Sequence, residues 1–175
     1  MITVHEAPYD DPVAVELVAE MHLDIEERYA DDDDPTAGDP VATLPDVTPL
    51  LVRRPLGVFL VAHLAVAHLA DAHRADRPAG CGALKPLAGA GGVGEIKRMY
   101  TRPDARRRGV SRVILTRLEE VAAELAYSWV QLETGLRQPE AIALYESAGW
   151  ARIEPYGRYR DDPLSVCFGK AIPPR

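Results

Sequence analysis

The stretch that decides the fold is Glu95-Ile96-Lys97-Arg98-Met99-Tyr100-Thr101, followed by Arg102-Pro103-Asp104-Ala105-Arg106-Arg107-Arg108-Gly109-Val110-Ser111. The first part reads as a strand, and Pro103 stops its ladder. From Arg108 the apolar period becomes helical. Val110, Val113, Ile114, Leu118, Val121, Ala122 and Leu125 share one side, which predicts a helix over Arg108–Tyr127. A helix that starts at a tight turn presents unpaired N–H groups and the positive end of its dipole there, and together these form an anion site. Gly109 lets the backbone come close to a phosphate, and small Ser111 keeps the approach open. Three consecutive arginines, Arg106 to Arg108, add positive charge beside it. A pyrophosphate suits such a turn. The Gly-Lys-Ser/Thr ending of a triphosphate loop is missing, and a single glycine is too few for a dinucleotide fingerprint.

Upstream, Ile2–Glu6 alternates apolar and polar residues as a strand does. Asp10 and Asp11 precede Pro12, a helix-start signal, and Val13, Val15, Leu17, Val18, Met21, Leu23 and Ile25 supply a helix ending near Tyr29. Ala30 to Pro55 is rich in Asp, Pro and Thr and reads as a loop with one short helical turn. Its four-carboxylate run, Asp31 to Asp34, lacks the alternating spacing of a calcium loop. Leu56–Leu69 and Gly80–Leu87 read as the two strands of a hairpin, with Asp71–Ala79 as its polar turn. Downstream, Trp129–Glu133 is a strand, Pro139–Ser147 a short helix, and Gly149–Ile153 and Leu164–Phe168 two further strands. No internal repeat or linker divides the chain. Residues 1–175 therefore form a single α/β (α+β) domain around a mixed sheet.

The composition bounds the function. The chain has 175 residues, 47% of them hydrophobic, enough to bury a core without staples. Its formal net charge of −7 argues against binding a nucleic-acid backbone. The start, Met1-Ile2-Thr3-Val4-His5-Glu6, shows no signal-peptide pattern, and the longest apolar stretch is interrupted by His63 and His68. It is too short and too polar for a membrane span. A cytoplasmic protein is the expectation. Cys81 and Cys167 have no metal-type or redox-type spacing and read as buried reduced thiols on strands. His63, His68 and His73 recur every five residues, which alternates strand faces, so no shared metal is expected.

Arg106-Arg107-Arg108-Gly109-Val110-Ser111 resembles the Arg/Gln-x-x-Gly-x-Gly/Ala signature of the GNAT superfamily of N-acetyltransferases, with Ser111 at the last small position. Ala141-Ile142-Ala143-Leu144-Tyr145-Glu146-Ser147-Ala148-Gly149-Trp150 is similar to that family's Ala-x-x-Leu-Tyr-x-x-x-Gly-Phe segment. Counted with the strand order, the resemblance covers roughly residues 56 to 170. It implies a mixed, mostly antiparallel twisted sheet of about six to seven strands flanked by helices, splayed into a V between the parallel strands Glu95–Thr101 and Trp129–Glu133. It implies acetyl-CoA as co-substrate, with no metal. Main-chain groups of Met99, Tyr100 and Thr101 would hold the thioester and pantetheine. Arg106, Arg107, Arg108, Gly109, Val110, Ser111 and Arg112 would hold the pyrophosphate. Gln138 stands where the family usually has an Asn that contacts the cofactor.

The implied reaction is acetyl transfer to a primary amine of a small metabolite, such as an amino acid, polyamine or aminoglycoside, by direct attack. Protein lysine or N-terminal acetylation, or acyl-CoA sensing without turnover, are the alternatives. By family analogy Tyr145 protonates the leaving thiolate; phenol and thiol pKa values lie within about two units. Glu95 and Glu133 are the candidate bases, and either needs a raised pKa or a water relay. Glu95 also reads as a surface partner of Lys97. Lys97 or Arg98 is placed to bind a substrate carboxylate, and strand alternation predicts that they do not face the same way. Tyr156 is a candidate acceptor contact. The family often dimerises, and an exposed strand at Leu164–Phe168 is where such a homodimer would form by analogy.

Overall fold

The computed structural model describes residues 1–30, 46–65 and 76–174. The acidic run Asp31 to Asp34, His68, His73 and the end of the expected strand at 66–69 lie outside the described residues. The chain runs β1 (Ile2–Glu6), α1 (Pro12–Tyr29), β2 (Val58–Ala65), β3 (Asp76–Pro86), β4 (Val93–Thr101), α2 (Val110–Glu124), β5 (Trp129–Gly135), α3 (Pro139–Ser147), β6 (Ala151–Ile153) and β7 (Ser165–Ala171). Local chemistry fixes the helix ends. Asp11 caps α1 by accepting from the Val13 amide at 2.9 Å, with Pro12 in the first turn. Gly109 (φ +84°) stops α2 from starting at Arg108, and Ala126 (φ +59°) follows its last turn.

Among the described residues seven strands form one sheet in the order β1-β2-β3-β4-β5-β7-β6. Every pairing is antiparallel except β4 with β5. β2 shows how the two faces divide. Val58, Leu60, Ala62 and Leu64 enter a core with α2, which contributes Val110, Ile114, Leu115, Leu118 and Val121. Phe59 and Val61 pack on the other face with Ala14, Leu17 and Met21 of α1. This alternation is the period-2 consequence of the strand, and each wholly buried Leu contributes about 1.5–3 kcal/mol. Cys81 and Cys167 are free and buried. No helix of the described residues is long and apolar enough to cross a membrane.

The expectation of an exposed strand at Leu164–Phe168 is overturned. β7 lies between β5 and β6, with Val166, Cys167 and Phe168 buried. A strand near the end of the chain is inserted because the short β6 turns back along its outer edge.

β4 and β5 set up the cleft. They pair only from Val93↔Trp129 to Ile96↔Leu132. Beyond that point each keeps its outer partner, β4 as far as Thr101↔Gly80 and β5 as far as Gly135↔Ser165. A bulge in β4 explains the parting. Ala83 faces Lys97 and Cys81 faces Tyr100, so Arg98 and Met99 together oppose Gly82. Arg98 takes φ +57°, a left-handed conformation costing a non-glycine residue about 1–2 kcal/mol. A bulge bends its strand, here away from β5. Gly82 makes room: a Cβ there would lie 2.8 Å from Met99 Sδ and 2.7 Å from Ile114 Cγ2.

Candidate active site

Where β4 and β5 part, a cleft of about 1410 Å³ opens, floored by Ile96–Thr101 and Glu133–Gly135. One wall is the α2 entry, at Arg107 and Gly109–Arg112; another is the second half of α1 from Met21 to Tyr29; α3 supplies Ala141, Leu144 and Tyr145.

At the α2 end, Arg107 (φ +59°) and Gly109 (φ +84°) both take left-handed conformations. Alternating right- and left-handed residues turn successive amides inward and make an anion-binding concavity. The three arginines have different fates. Arg106 is committed, donating to Asp24 Oδ1 at 2.6 Å and to the Thr101 carbonyl at 3.1 Å. Arg107 is exposed, lines the cleft, and has no side-chain partner among the described residues. Arg108 is exposed outside the cleft lining. Arg112 donates to Ser147 Oγ at 2.5 Å across the α2–α3 gap. Gln138 precedes α3 and lines the cleft.

Beyond the splay, Lys97–Thr101 has no β5 partner. Its inward main-chain groups are available to a ligand. Thr101 Oγ1 is buried with no hydrogen-bond partner among the described residues. A buried polar atom without a partner is costly, and a polar ligand chain in the cleft would relieve it.

Tyr145 is 3% exposed, its ring held between Trp150 (6.1 Å) and Phe168 (5.5 Å). Its hydroxyl has no hydrogen-bond partner among the described residues. Burial, then the nearby Glu133 charge, pushes its pKa above the ordinary phenol value, so it stays protonated. Glu133 lines the same cleft and accepts from Ser165 Oγ at 2.8 Å. Burial raises its pKa, only partly opposed by the Ser165 hydrogen bond and the Lys97 charge.

Glu95 is 3% exposed and lies outside the cleft lining. It is not a surface carboxylate. It accepts from Lys85 at 2.5 Å and from the Tyr156 hydroxyl at 2.9 Å, with Lys97 at 3.3 Å. Asp46 completes this network, 3.1 Å from Lys97, 3.4 Å from Lys85 and 2.7 Å from Arg158. Lys97 also bonds the Tyr159 hydroxyl. Tyr156, the expected acceptor contact, donates to Glu95 and is not among the residues lining the cleft, whereas Tyr159 and Arg158 are.

The expectation that Lys97 and Arg98 face opposite ways fails. The bulge inserts one residue into the alternation, and Arg98 Nε lies 3.5 Å from the Tyr9 hydroxyl, on the face that packs α1. The α1 wall, Asp46 and Arg158 were missed by sequence reasoning. Nothing local marks them; only packing across the sheet brings α1 and Arg158 to the cleft and Asp46 to the Lys97 network beside it.

A mixed sheet splayed beside a helix-entry anion cradle defines the class: an acyl-CoA-binding acyltransferase fold. The model of the acetyltransferase (GNAT) family matches residues 23–150, more than half of the chain, and the protein belongs to that family. It is 42% identical over 93 residues to the IAA acetyltransferase of Azospirillum brasilense, covering 53% of this chain and 60% of the relative. It is 40% identical over 99 residues to the uncharacterized N-acetyltransferase YsnE of Bacillus subtilis (strain 168), covering 55% of this chain and 64% of the relative. In both, less than two thirds of the relative's length is matched. A Klebsiella pneumoniae structure described as an acyl-CoA N-acyltransferase superposes with a TM-score of 0.71 at 26% identity, over 98% of each chain.

Proposed function

We propose that the protein transfers the acetyl group of acetyl-CoA to a primary amine of a small metabolite by direct attack. The observation that carries this reading is the meeting of Tyr145 and Glu133 in the cleft that opens where β4 and β5 separate. The β4 main chain at Met99, Tyr100 and Thr101, beyond the last β5 pairing, fits a thioester and pantetheine chain. The amides around Arg107 to Arg112 fit a pyrophosphate. When bound, acetyl-CoA supplies an activated thioester carbonyl. Glu133 takes a proton from the acceptor ammonium, directly or through water, and frees the amine lone pair for attack. A carboxylate with a raised pKa is matched to this task. β4 amides hold the carbonyl oxygen as charge develops on it. The Tyr145 hydroxyl donates to the departing sulfur, the acylated nitrogen gives up its extra proton to restore that hydroxyl directly or through water, and the products are the N-acetyl amide and free CoA. Between the two carboxylates, Glu133 is the better base, because Lys85, Lys97 and Tyr156 already occupy Glu95.

The test is CoA release from acetyl-CoA across a panel of amino acids, polyamines, aminoglycosides and peptides. Turnover confined to small amines supports the proposal. Preference for peptide N-termini or lysines moves the acceptor to protein. Tight acetyl-CoA binding without turnover of any amine would leave a sensor.

A further inference from the structure

We infer that the acceptor is a carboxylate-bearing amine and that Arg98 is the residue that grips its carboxylate. This deepens the acetyl-transfer reading and rests on it for the identity of the reacting amine. Lys97 is shared by Glu95 and Asp46, and Arg158 by Asp46. Arg106 is held by Asp24. Among the described residues Arg98 has no carboxylate partner; its one side-chain hydrogen bond is to the Tyr9 hydroxyl at 3.5 Å. It is half-buried and lines the cleft, on the α1 side and away from the α2 entry where phosphates would sit.

A half-buried guanidinium without a counterion is poorly compensated, and a planar fork of donors matches a carboxylate in two-point contact. The backbone points the same way. Arg98 occupies the strained left-handed position of the β4 bulge, and the bulge turns it to the same face as Lys97. Strain of this kind persists where the surrounding structure enforces it, and it clusters at ligand contacts. Burial and then the Arg98 charge lower the His22 pKa, which puts that charge against α1, a wall of the cleft. The same cleft holds Glu133. A cation and an anion along one cleft suit a zwitterion, its ammonium toward Glu133 and its carboxylate toward Arg98. Polyamines and aminoglycosides would bring only positive charge to Arg98.

The experiment compares free L-amino acids, their carboxamides and carboxylate-free amines as acceptors for the wild type, R98Q and R98K. The wild type is expected to favour acids over the matching carboxamides by about 10- to 100-fold in kcat/KM, the range of a charge-assisted hydrogen bond. R98Q should erase that preference with the KM for acetyl-CoA unchanged, and R98K should keep part of it. Equal turnover of acids and carboxamides by the wild type, or a preference that survives in R98Q, overturns the inference. Calorimetric binding of N-acetyl amino acids and their carboxamides to wild type and R98Q separates the two readings. Carboxylate-dependent binding that vanishes in R98Q, without turnover of any amine, keeps the Arg98 site and removes the acetyl-transfer reading. Absence of carboxylate-dependent binding removes the Arg98 site whether or not amines are turned over.

Discussion

At the scale of single residues, the candidate chemistry rests on a buried tyrosine and a half-buried carboxylate whose surroundings push their pKa values upward. Tyr145 stays protonated because a phenolate in its aromatic slot would lose solvation and face Glu133. Tyr145→Phe is expected to lower kcat by about 10²-fold or more, the span of general acid catalysis, with little change in acetyl-CoA affinity. Steady-state kinetics with calorimetry checks this, and an unchanged kcat would remove the acid assignment. Glu133 must be ionised to act as a base. Its raised pKa places the acidic limb of kcat/KM above the ordinary Glu value of about 4.3, with activity rising as pH passes through it. Glu133→Gln should abolish that limb and cost about 10²- to 10⁴-fold in rate. The stability sign runs the other way. A folded pKa above the unfolded one favours folding at low pH, and that contribution is lost as pH rises through the folded value. Glu133→Gln should therefore raise Tm at neutral pH while it lowers turnover. A lower Tm in that variant would contradict the burial argument. The Tyr145 motif was legible in the chain. The choice of Glu133 over Glu95 was not, because Lys85 and Tyr156 reach Glu95 only through folding.

The elements turn these residues into a site. α2 begins just after Gly109 because its left-handed φ cannot continue a helix backwards, and this one residue both ends the turn and shapes the candidate anion cradle. A Cβ there has space, its nearest neighbour being Ile2 Cδ1 at 3.9 Å. The cost of Gly109→Val is thus backbone strain, about 1–3 kcal/mol. We expect Tm to fall by about 2–4 °C per kcal/mol and acetyl-CoA binding to be lost. Calorimetry and a thermal melt read the two effects separately, and normal CoA affinity would remove the cradle reading. The strand-turn-helix was readable because its signals are local: an apolar period that changes, a proline and a glycine. The β4 bulge was not. It depends on Gly82 of the neighbouring strand and on α2 pressing Ile114 and Leu118 against it. The simple alternation rule then placed Lys97 and Arg98 on opposite faces, and packing put them on one.

The whole molecule carries a formal charge of −7, yet its candidate ligand is a polyanion. Local cations and helix amides at the α2 entry must oppose that background. Acetyl-CoA binding should therefore weaken as ionic strength rises, since the Debye length shrinks from about 30 Å at 0.01 M to about 3 Å at 1 M. Arg107→Ala should flatten this dependence, because Arg107 faces the cleft with no carboxylate partner among the described residues. A KM for acetyl-CoA that is independent of salt would contradict the electrostatic role. At this scale the chain by itself determined the family, the element types and the strand-turn-helix around Gly109, all of which rest on short-range patterns of hydrophobic period, glycine and charge. Only the tertiary structure decided the sheet order that inserts β7 beside β5, the point where β4 and β5 part, and the distribution of counterions that ties up Glu95 and Lys97 and leaves Arg98 to the cleft. The reason is physical. Strand pairing and charge neutralisation join residues from different elements, such as Glu95 with Tyr156 and Asp46 with Arg158, and no local pattern encodes who meets whom.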